Sequence, residues 1–328
     1  MKKISMFVLP LMICVLLSAC SNPKEDSQAA SDWVWEYKVD ITCPWGKGGG
    51  TDTTLQAFSE AFRKISGTEV VIEHKSGSGG IAGMQYAQTK PADGYFYLLG
   101  TQSLLLMQIS GETDYDVYHS IHPLCLLVQD CNLFVTALDS PWQSYAELHD
   151  YAVHHRGELR CGLMSLMGLD NACVEIAFGD AIELVQYQDG QSLLEDTANG
   201  LIDLAICGPG EATGMLAEGR LHILMSCTEE PVTIKGYDKP IPCTGDLGLD
   251  CFYGPGRGIF YFDGTPEEAI RAFERDAKAA VESESFQRFL REQNLDLRPG
   301  WLGREAYKAQ WDSEYADLSE IFGRGGAS

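Results

Sequence analysis

Alternating and helical hydrophobic patterns divide the first third of the chain into strands and helices. In "YKVDITC" (residues 37–43) apolar and polar side chains alternate, which predicts a strand. Apolar residues then recur at helical spacing between Leu55 and Ile65, which predicts a helix. A second strand (69–74), a short helix (81–89) and a third strand (95–100) follow. The order βαβαβ predicts a parallel sheet covered by helices.

The same plan returns in the middle of the chain. The stretches "ELRCGL", "IELVQY", "LIDLAIC" and "LHILMSC" have strand-like patterns, and helices are predicted at Ala172–Phe178 and Ser192–Ala198. The C-terminal part has helical periodicity. The chain is therefore predicted to be an α/β protein with two units of similar plan.

A glycine-rich loop joins the first predicted strand to the first helix. "CPWGKGGGTDTT" (43–54) contains four glycines, and the helix is expected to begin near Thr51-Asp52. The first N–H groups of a helix have no partner within the helix, and the helix dipole places positive charge there. Glycines let the backbone approach a small anion, so the loop is a candidate anion site. Asp52 is expected to cap or orient the loop.

The second unit contains a similar loop, "GLMSLMGLDN" (162–171), and two such loops can face each other across a cleft. A tight turn that binds nothing is the alternative for either loop. Lys47 also has two interpretations, because its side chain can pair with a ligand carboxylate or point to solvent.

The sequence does not match other known anion-binding or catalytic motifs. Lys47 is followed by Gly48, not by the serine or threonine of a phosphate-binding loop. The match to GxGxxA at 77–82 is followed by a strand that ends "LLGTQS", without the acid that a dinucleotide ribose requires. There is no GxSxG, and the seven histidines have no metal-ligand spacing. We expect no catalytic residues, no cofactor and no metal site.

The N-terminus resembles a lipoprotein signal. Two lysines precede an apolar run (4–17) that ends in "LSAC", so residues 1–19 are predicted to be cleaved and Cys20 to carry lipid. An ordinary secretory signal is the alternative. Residues 20–32 are polar and small, as in a flexible tether. The body is therefore expected outside the cytoplasm, lipid-anchored on the periplasmic side of a membrane or at the cell surface.

Charge and cysteine content refine this picture. The formal charge of −23 argues against binding nucleic acid through a basic surface. Of the eleven cysteines, Cys125/Cys131 and Cys243/Cys251 are the nearest pairs that could form disulfides. Buried free thiols are the favoured alternative.

Several motifs in order resemble one known family. "CPWGKGGGTD", "VVIEHKSGSGGIAGMQYAQTKPADGYFYLLG", "VQYQDGQSLLEDTANGLIDLAI", "GRLHILMSC", "IPCTGDLGL" and "GTPEEAI" are similar to stretches of the substrate-binding proteins of tripartite tricarboxylate transporters, the TctC or Bug receptors. The similarity extends from about Tyr37 to Phe322.

The resemblance implies a type II periplasmic-binding-protein fold, with two α/β lobes and a ligand cleft between them. Lobe 1 would comprise 33–130 and the returning segment 255–328, and lobe 2 would comprise 131–254. The implied function is capture of a small carboxylate and its delivery to the large and small membrane subunits of a permease, without enzymatic activity. The predicted ligand-binding residues are Trp45, Gly46, Lys47, Gly48, Gly49, Asp52, Thr101, Ser165, Met167, Gly168 and Asp170.

Three departures from the family pattern concern the ligand. Lys47 stands where the family has a small or apolar residue, the second loop is rich in methionine, and "VQYQDG" lacks the family's lysine. Two other functions stay open. One is a sensory or scavenging lipoprotein without transport, and the other is an exported enzyme on the same scaffold.

Overall fold

The computed structural model describes residues 33–164, 166, 168–187 and 189–322. The predicted signal peptide, Cys20 and the tether lie outside these residues, as do Ser165 and Met167. The strands are β1 (Val39–Cys43), β2 (Val70–His74), β3 (Phe96–Gly100), β4 (His122–Gln129), β5 (Leu133–Ala137), β6 (Arg160–Leu163), β7 (Glu183–Gln186), β8 (Leu204–Cys207), β9 (Leu221–Ser226) and β10 (Gly256–Tyr261).

The α-helices alternate with the strands and then close the chain. They are α1 (Gly50–Ser66), α2 (Ile81–Gln88), α3 (Ser103–Ile109), α4 (Val117–Ser120), α5 (Tyr145–His154), α6 (Leu169–Phe178), α7 (Gly190–Ala198), α8 (Pro209–Ala217), α9 (Glu267–Val281), α10 (Glu284–Glu292) and α11 (Arg304–Phe322). Within the described residues, no helix combines the length and the apolar character needed to cross a membrane.

Two five-stranded sheets organise the molecule, which confirms the α/β fold of two lobes. Lobe 1 is built on the sheet β2-β1-β3-β10-β4 and lobe 2 on the sheet β7-β6-β8-β5-β9. In each sheet three strands are parallel, as the βαβ pattern predicts. Apolar side chains on both faces of each sheet are buried under the helices, so each lobe has its own core.

One antiparallel strand in each sheet carries the chain between the lobes. Strand β4 leaves lobe 1 and continues through Asp130 into β5, which pairs antiparallel with β8 and β9. Strand β10 returns to lobe 1 and pairs antiparallel with β3 and β4. Both sheets are therefore mixed, and the two connections run side by side at the base of the groove between the lobes.

The lobes also contact each other away from these connections. Leu106 of α3, Leu169 of α6 and Leu318 of α11 form a small buried apolar cluster. Asn294, which follows α10, donates from Nδ2 to the Thr213 hydroxyl in α8 at 2.7 Å. The groove is thus bridged by contacts from two sides.

The described cysteines are all free and buried, so the two candidate disulfides are absent from the structure. Cys251 packs beside Cys173 and Cys227 and not against Cys243. The three sulfur atoms lie within 4.8 Å of one another in the core of lobe 2. Burial raises the pKa of Cys173 and Cys227 well above the ordinary value, which keeps these thiols protonated.

Candidate ligand site

A cavity of about 440 Å³ lies between the lobes, at the carboxyl ends of β1, β6 and β8. This is the edge at which open α/β sheets bind ligands, and the volume suits a small molecule. Residues from both lobes line it: Gly48, Gly50, Thr53, Asp130, Asn132, Met164, Asp170, Ile206, Cys207, Gly208, Gly210, Glu211, Pro255, Arg257, Gln293 and Leu295.

Three helices begin at the cavity. Helix α1 follows Gly49, α6 follows Gly168 and α8 follows Gly208, and each of these N-cap glycines has an extended backbone without a side-chain cap. The free N–H groups and the dipoles of these helices favour negative charge. Each helix already has an acidic residue in its first turn, namely Asp52, Asp170 and Glu211. Where these carboxylates point therefore determines the charge of the site.

Asp52 turns away from the cavity and orders the glycine loop. Its Oδ2 accepts from the Gly48 N–H at 2.7 Å and from Gln56 at 2.8 Å, and its Oδ1 lies 2.7 Å from His74 Nε2. Burial raises the pKa of this carboxyl, but the hydrogen bonds from Gly48, His74 and Gln56 outweigh it and the pKa is lowered. Asp52 is thus an ionised, fully partnered support of the loop.

Arg257 forms a buried ion pair at the base of the cavity. Its Nη2 donates to Asp130 Oδ2 at 3.0 Å, and Arg257 is 7% exposed. The Nε and Nη1 atoms are buried and have no hydrogen-bond partner among the described residues. A buried guanidinium with unsatisfied donors is costly, so an acceptor from a ligand would stabilise it. Burial raises the pKa of Asp130 despite the opposing Arg257 charge.

Gly50 makes room for this arginine. A Cβ at position 50 would lie 2.9 Å from Arg257 Nη2, which is closer than side-chain carbons approach other atoms. The guanidinium therefore sits directly against the first residue of α1. Two sources of positive potential, the helix N-terminus and Arg257, are combined on the lobe 1 side of the cavity.

Asp170 and Glu211 line the lobe 2 side. Asp170 Oδ1 accepts from Asn132 Nδ2 at 3.1 Å, and Glu211 Oε2 accepts from the Gly208 N–H at 3.1 Å. Burial, followed by the nearby Glu211 charge, raises the pKa of Asp170 to about 6. Glu211 is partly open to solvent at the cavity, and its desolvation by the surrounding protein and the Asp130 charge raise its pKa. Neither carboxylate forms an ion pair with a described residue.

A second, larger cavity of about 590 Å³ lies near the connections between the lobes and includes Arg298. This arginine is already satisfied, because it donates to the Phe252 carbonyl and to Glu229 Oε1, each at 2.8 Å. The remaining charged residues of its lining are acidic: Glu229, Asp250, Glu314, Asp317 and Glu320. Of these two cavities, as lined by the described residues, the smaller one combines helix N-termini with a cation that has unpaired donors.

The structure brings part of the predicted site together. Gly48 and Asp170 line the cavity. Gly46, Lys47 and Gly49 are exposed in the same loop, and Gly168 caps α6. Trp45 packs against the lobe 1 core, and Thr101 is buried after β3, where its hydroxyl accepts from the Ser103 N–H at 3.2 Å. Trp45, Thr101 and Asp52 are therefore outside the cavity lining.

Sequence reasoning missed Arg257, Asp130 and Glu211. Arg257 and Asp130 are 127 positions apart, at the start of β10 and directly after β4, so no local motif joins them. Two local signals were present. "GPGRG" places an arginine between glycines before an apolar run, and "LCLLVQD" ends an apolar run with an acid.

Comparison with known proteins agrees with this architecture. Residues 55–301 match the family model described as "Tripartite tricarboxylate transporter family receptor". A curated relative, "UPF0065 protein in gbd 5'region" of Cupriavidus necator, is 21% identical over 291 residues, covering 88% of this chain and 87% of the relative.

Two solved structures show the same fold. A TctC solute-binding protein from Polaromonas, without ligand, has a TM-score of 0.76 at 22% identity, covering 88% of this chain and 99% of that one. The structure described as "R. palustris Rpa4515 with adipate" has a TM-score of 0.71 at 23% identity, covering 88% of this chain and 97% of that one. The family match covers most of the chain, and the chain therefore belongs to the tripartite tricarboxylate transporter receptor family, TctC.

Proposed function

We propose that this solute-binding receptor captures a small carboxylate in the cavity between its lobes. The observation that carries the proposal is Arg257, whose Nε and Nη1 are buried beside the N-terminus of α1 and have no acceptor in the described part of the chain. A carboxylate would accept from this guanidinium and from the free N–H groups of the helix. The adipate in the R. palustris structure is a ligand of that protein, and it supports the same ligand class here.

We propose further that the receptor acts outside the cytoplasm, lipid-anchored through Cys20, and delivers its ligand to a tripartite permease. Family membership and the "LSAC" pattern support this. We divide the chain into lobe 1 (33–130 and 255–328) and lobe 2 (131–254), because strand membership in the two sheets changes near these boundaries. Labelled palmitate should enter the wild-type chain and fail to enter Cys20→Ser. Absence of label from the wild type would refute the anchor alone.

A thermal-shift screen tests the receptor function. The full chain is melted alone and with a panel of monocarboxylates, dicarboxylates, tricarboxylates and amino acids. A ligand at 100 times its Kd stabilises a protein by about 2.7 kcal/mol, which is a shift of several degrees at most for a protein of this size. At least one carboxylate should raise the melting temperature in a saturable way. If no carboxylate of any kind does so, the proposed ligand class is wrong.

A further inference from the structure

The charges around the cavity are unequally distributed. Among its described lining residues Arg257 is the sole cation, whereas Asp130, Asp170 and Glu211 are carboxylates. Asp130 is paired with Arg257, so Asp170 and Glu211 remain without a counter-charge.

The carboxylates converge on one region. A Cβ at Gly208 would lie 3.8 Å from both Asp130 Oδ2 and Glu211 Oε2, so these two acids flank the start of α8. Asp170 is near enough to Glu211 for their charges to interact. The hydrogen bonds from Asn132 and Gly208 hold both lobe 2 carboxylates in place without neutralising them.

This arrangement is poorly matched to a dianion. A dicarboxylate would place its second negative charge in the same small cavity as two unpaired carboxylates, and like charges repel each other there. A ligand that carries one carboxylate and one cation would instead satisfy Arg257 on one side and Asp170 with Glu211 on the other. Complementary charge of this kind also excludes competing ligands.

We propose that the ligand is a zwitterion, an amino acid or a similar aminocarboxylate. Its carboxylate lies at Arg257 and the start of α1, and its ammonium group lies at Asp170 and Glu211. The inference rests on the proposed receptor function and specifies its substrate class.

The first test compares matched pairs of ligands on the full chain by titration calorimetry. The pairs are glutamate with glutarate, aspartate with succinate, and 4-aminobutyrate with butanoate, and the other protein amino acids are screened alone. The tightest amino acid should bind at least tenfold more tightly than its nitrogen-free counterpart. If a nitrogen-free acid binds as tightly or more tightly, the zwitterion inference is wrong while the receptor function stands. If no carboxylate binds, the receptor function itself is wrong.

The second test reverses the selectivity. Glu211→Gln and Asp170→Asn keep the shape and a hydrogen-bond acceptor but remove the charge. Each should weaken binding of the best amino acid at least tenfold and should strengthen binding of its nitrogen-free counterpart. Glu218→Gln, an exposed acid at the other end of α8, is the control and should change neither. A lowered melting temperature would identify a misfolded variant. If one of the two site variants misfolds, the other is enough to test the selectivity. Equal weakening of both ligands would contradict the inference.

Discussion

The two sides of the cavity both carry an acidic residue in the first turn of a helix, with opposite results. In lobe 1, Asp52 in the first turn of α1 is turned inward to Gly48, Gln56 and His74, and its pKa is lowered. In lobe 2, Asp170 in α6 and Glu211 in α8 face the cavity, and their pKa values are raised.

The difference lies in the available partners. Strand β2 places His74 beside Asp52, whereas no basic residue among those described pairs with the two lobe 2 acids. Because Asp52 is removed from the cavity, the lobe 1 side presents the α1 N-terminus and the Arg257–Asp130 pair, with no unpaired carboxylate among its described lining residues. The lobe 2 helices present their first-turn acids instead, which leaves that side negative. An acidic residue in the first turn therefore does not by itself determine whether the helix N-terminus can bind an anion.

The largest expected effect concerns the Arg257–Asp130 pair. The double variant Arg257→Gln/Asp130→Asn removes the cation without leaving a buried charge unpaired, as a single substitution would. Loss of charged hydrogen bonds to the ligand should weaken binding at least about a hundredfold, because each such bond contributes roughly 1.5–3 kcal/mol. Calorimetry with the best ligand from the screen measures this.

A matched ion pair provides the control for that experiment. Arg304 donates to Glu267 at 2.8 and 2.9 Å, far from the cavity lining. Arg304→Gln/Glu267→Gln should leave the affinity unchanged. An affinity within threefold of wild type for the Arg257 double variant would mean that the helix N–H groups bind the ligand without the guanidinium.

The ionised Asp170 carboxylate should favour binding of the ligand but lower the stability of the ligand-free protein. Its pKa of about 6 in the folded protein is above the ordinary value, so the folded state holds a proton more tightly than the unfolded state. The free energy of unfolding therefore falls as pH rises from about 4 to about 6 and stays reduced at higher pH. Asp170→Asn should remove this loss and stabilise the ligand-free protein by about 1–3 kcal/mol at pH 7.5.

Denaturant unfolding at pH 4.5 and 7.5 checks this prediction. The difference between Asp170→Asn and wild type should be largest at pH 7.5 and should shrink at pH 4.5. Asp139→Asn is the control, because Asp139 is an exposed acid outside the cavity lining. A destabilised Asp170→Asn protein at pH 7.5 would show that the ionised carboxylate is satisfied within the fold.

Asp52 should behave in the opposite way. Its lowered pKa adds stability that is present above the ordinary carboxyl pKa and is lost as pH falls through the folded-state value. Asp52→Asn should therefore destabilise the protein by about 1–2 kcal/mol at pH 7, since charged hydrogen bonds are replaced by neutral ones. Asp40→Asn, which removes only a loose 3.6 Å pair with Lys38, should have little effect in the same unfolding assay. An unchanged Asp52→Asn variant would contradict a supporting role.

The contrast between the lobes also explains what the sequence could predict. The alternation of apolar and polar residues predicted the parallel strands, and apolar residues at helical spacing predicted the helices that cover them. Strands β4, β5 and β10, which connect the lobes, are absent from the sequence prediction. Strand β4 contains a proline and β10 two glycines, which are depleted in strands, and β5 is only five residues long. The cavity floor consists of residues at the ends of these strands.

The direction in which the first-turn acids point could also not be predicted from the sequence. The motif position of Asp52 and that of Asp170 look alike in sequence, and only His74, which is 22 residues beyond Asp52, separates their roles. The glycine loops were correctly identified as helix starts, but their net charge depends on partners contributed by other strands. Local patterns specify elements, whereas the sign of the potential in the cleft is a tertiary property.

The smallest effect is expected at Lys47, the cation in the glycine loop of lobe 1. Its side chain is exposed in the glycine loop and is outside the described cavity lining, so it should act on a ligand only through solvent. Exposed charges are screened over about 8 Å at physiological salt. Lys47→Ala should therefore leave the affinity within twofold of wild type, as should the control Lys64→Ala at the far end of α1. Calorimetry at two salt concentrations tests this. A tenfold loss that diminishes at high salt would show that Lys47 reaches the ligand carboxylate and shares the work of Arg257.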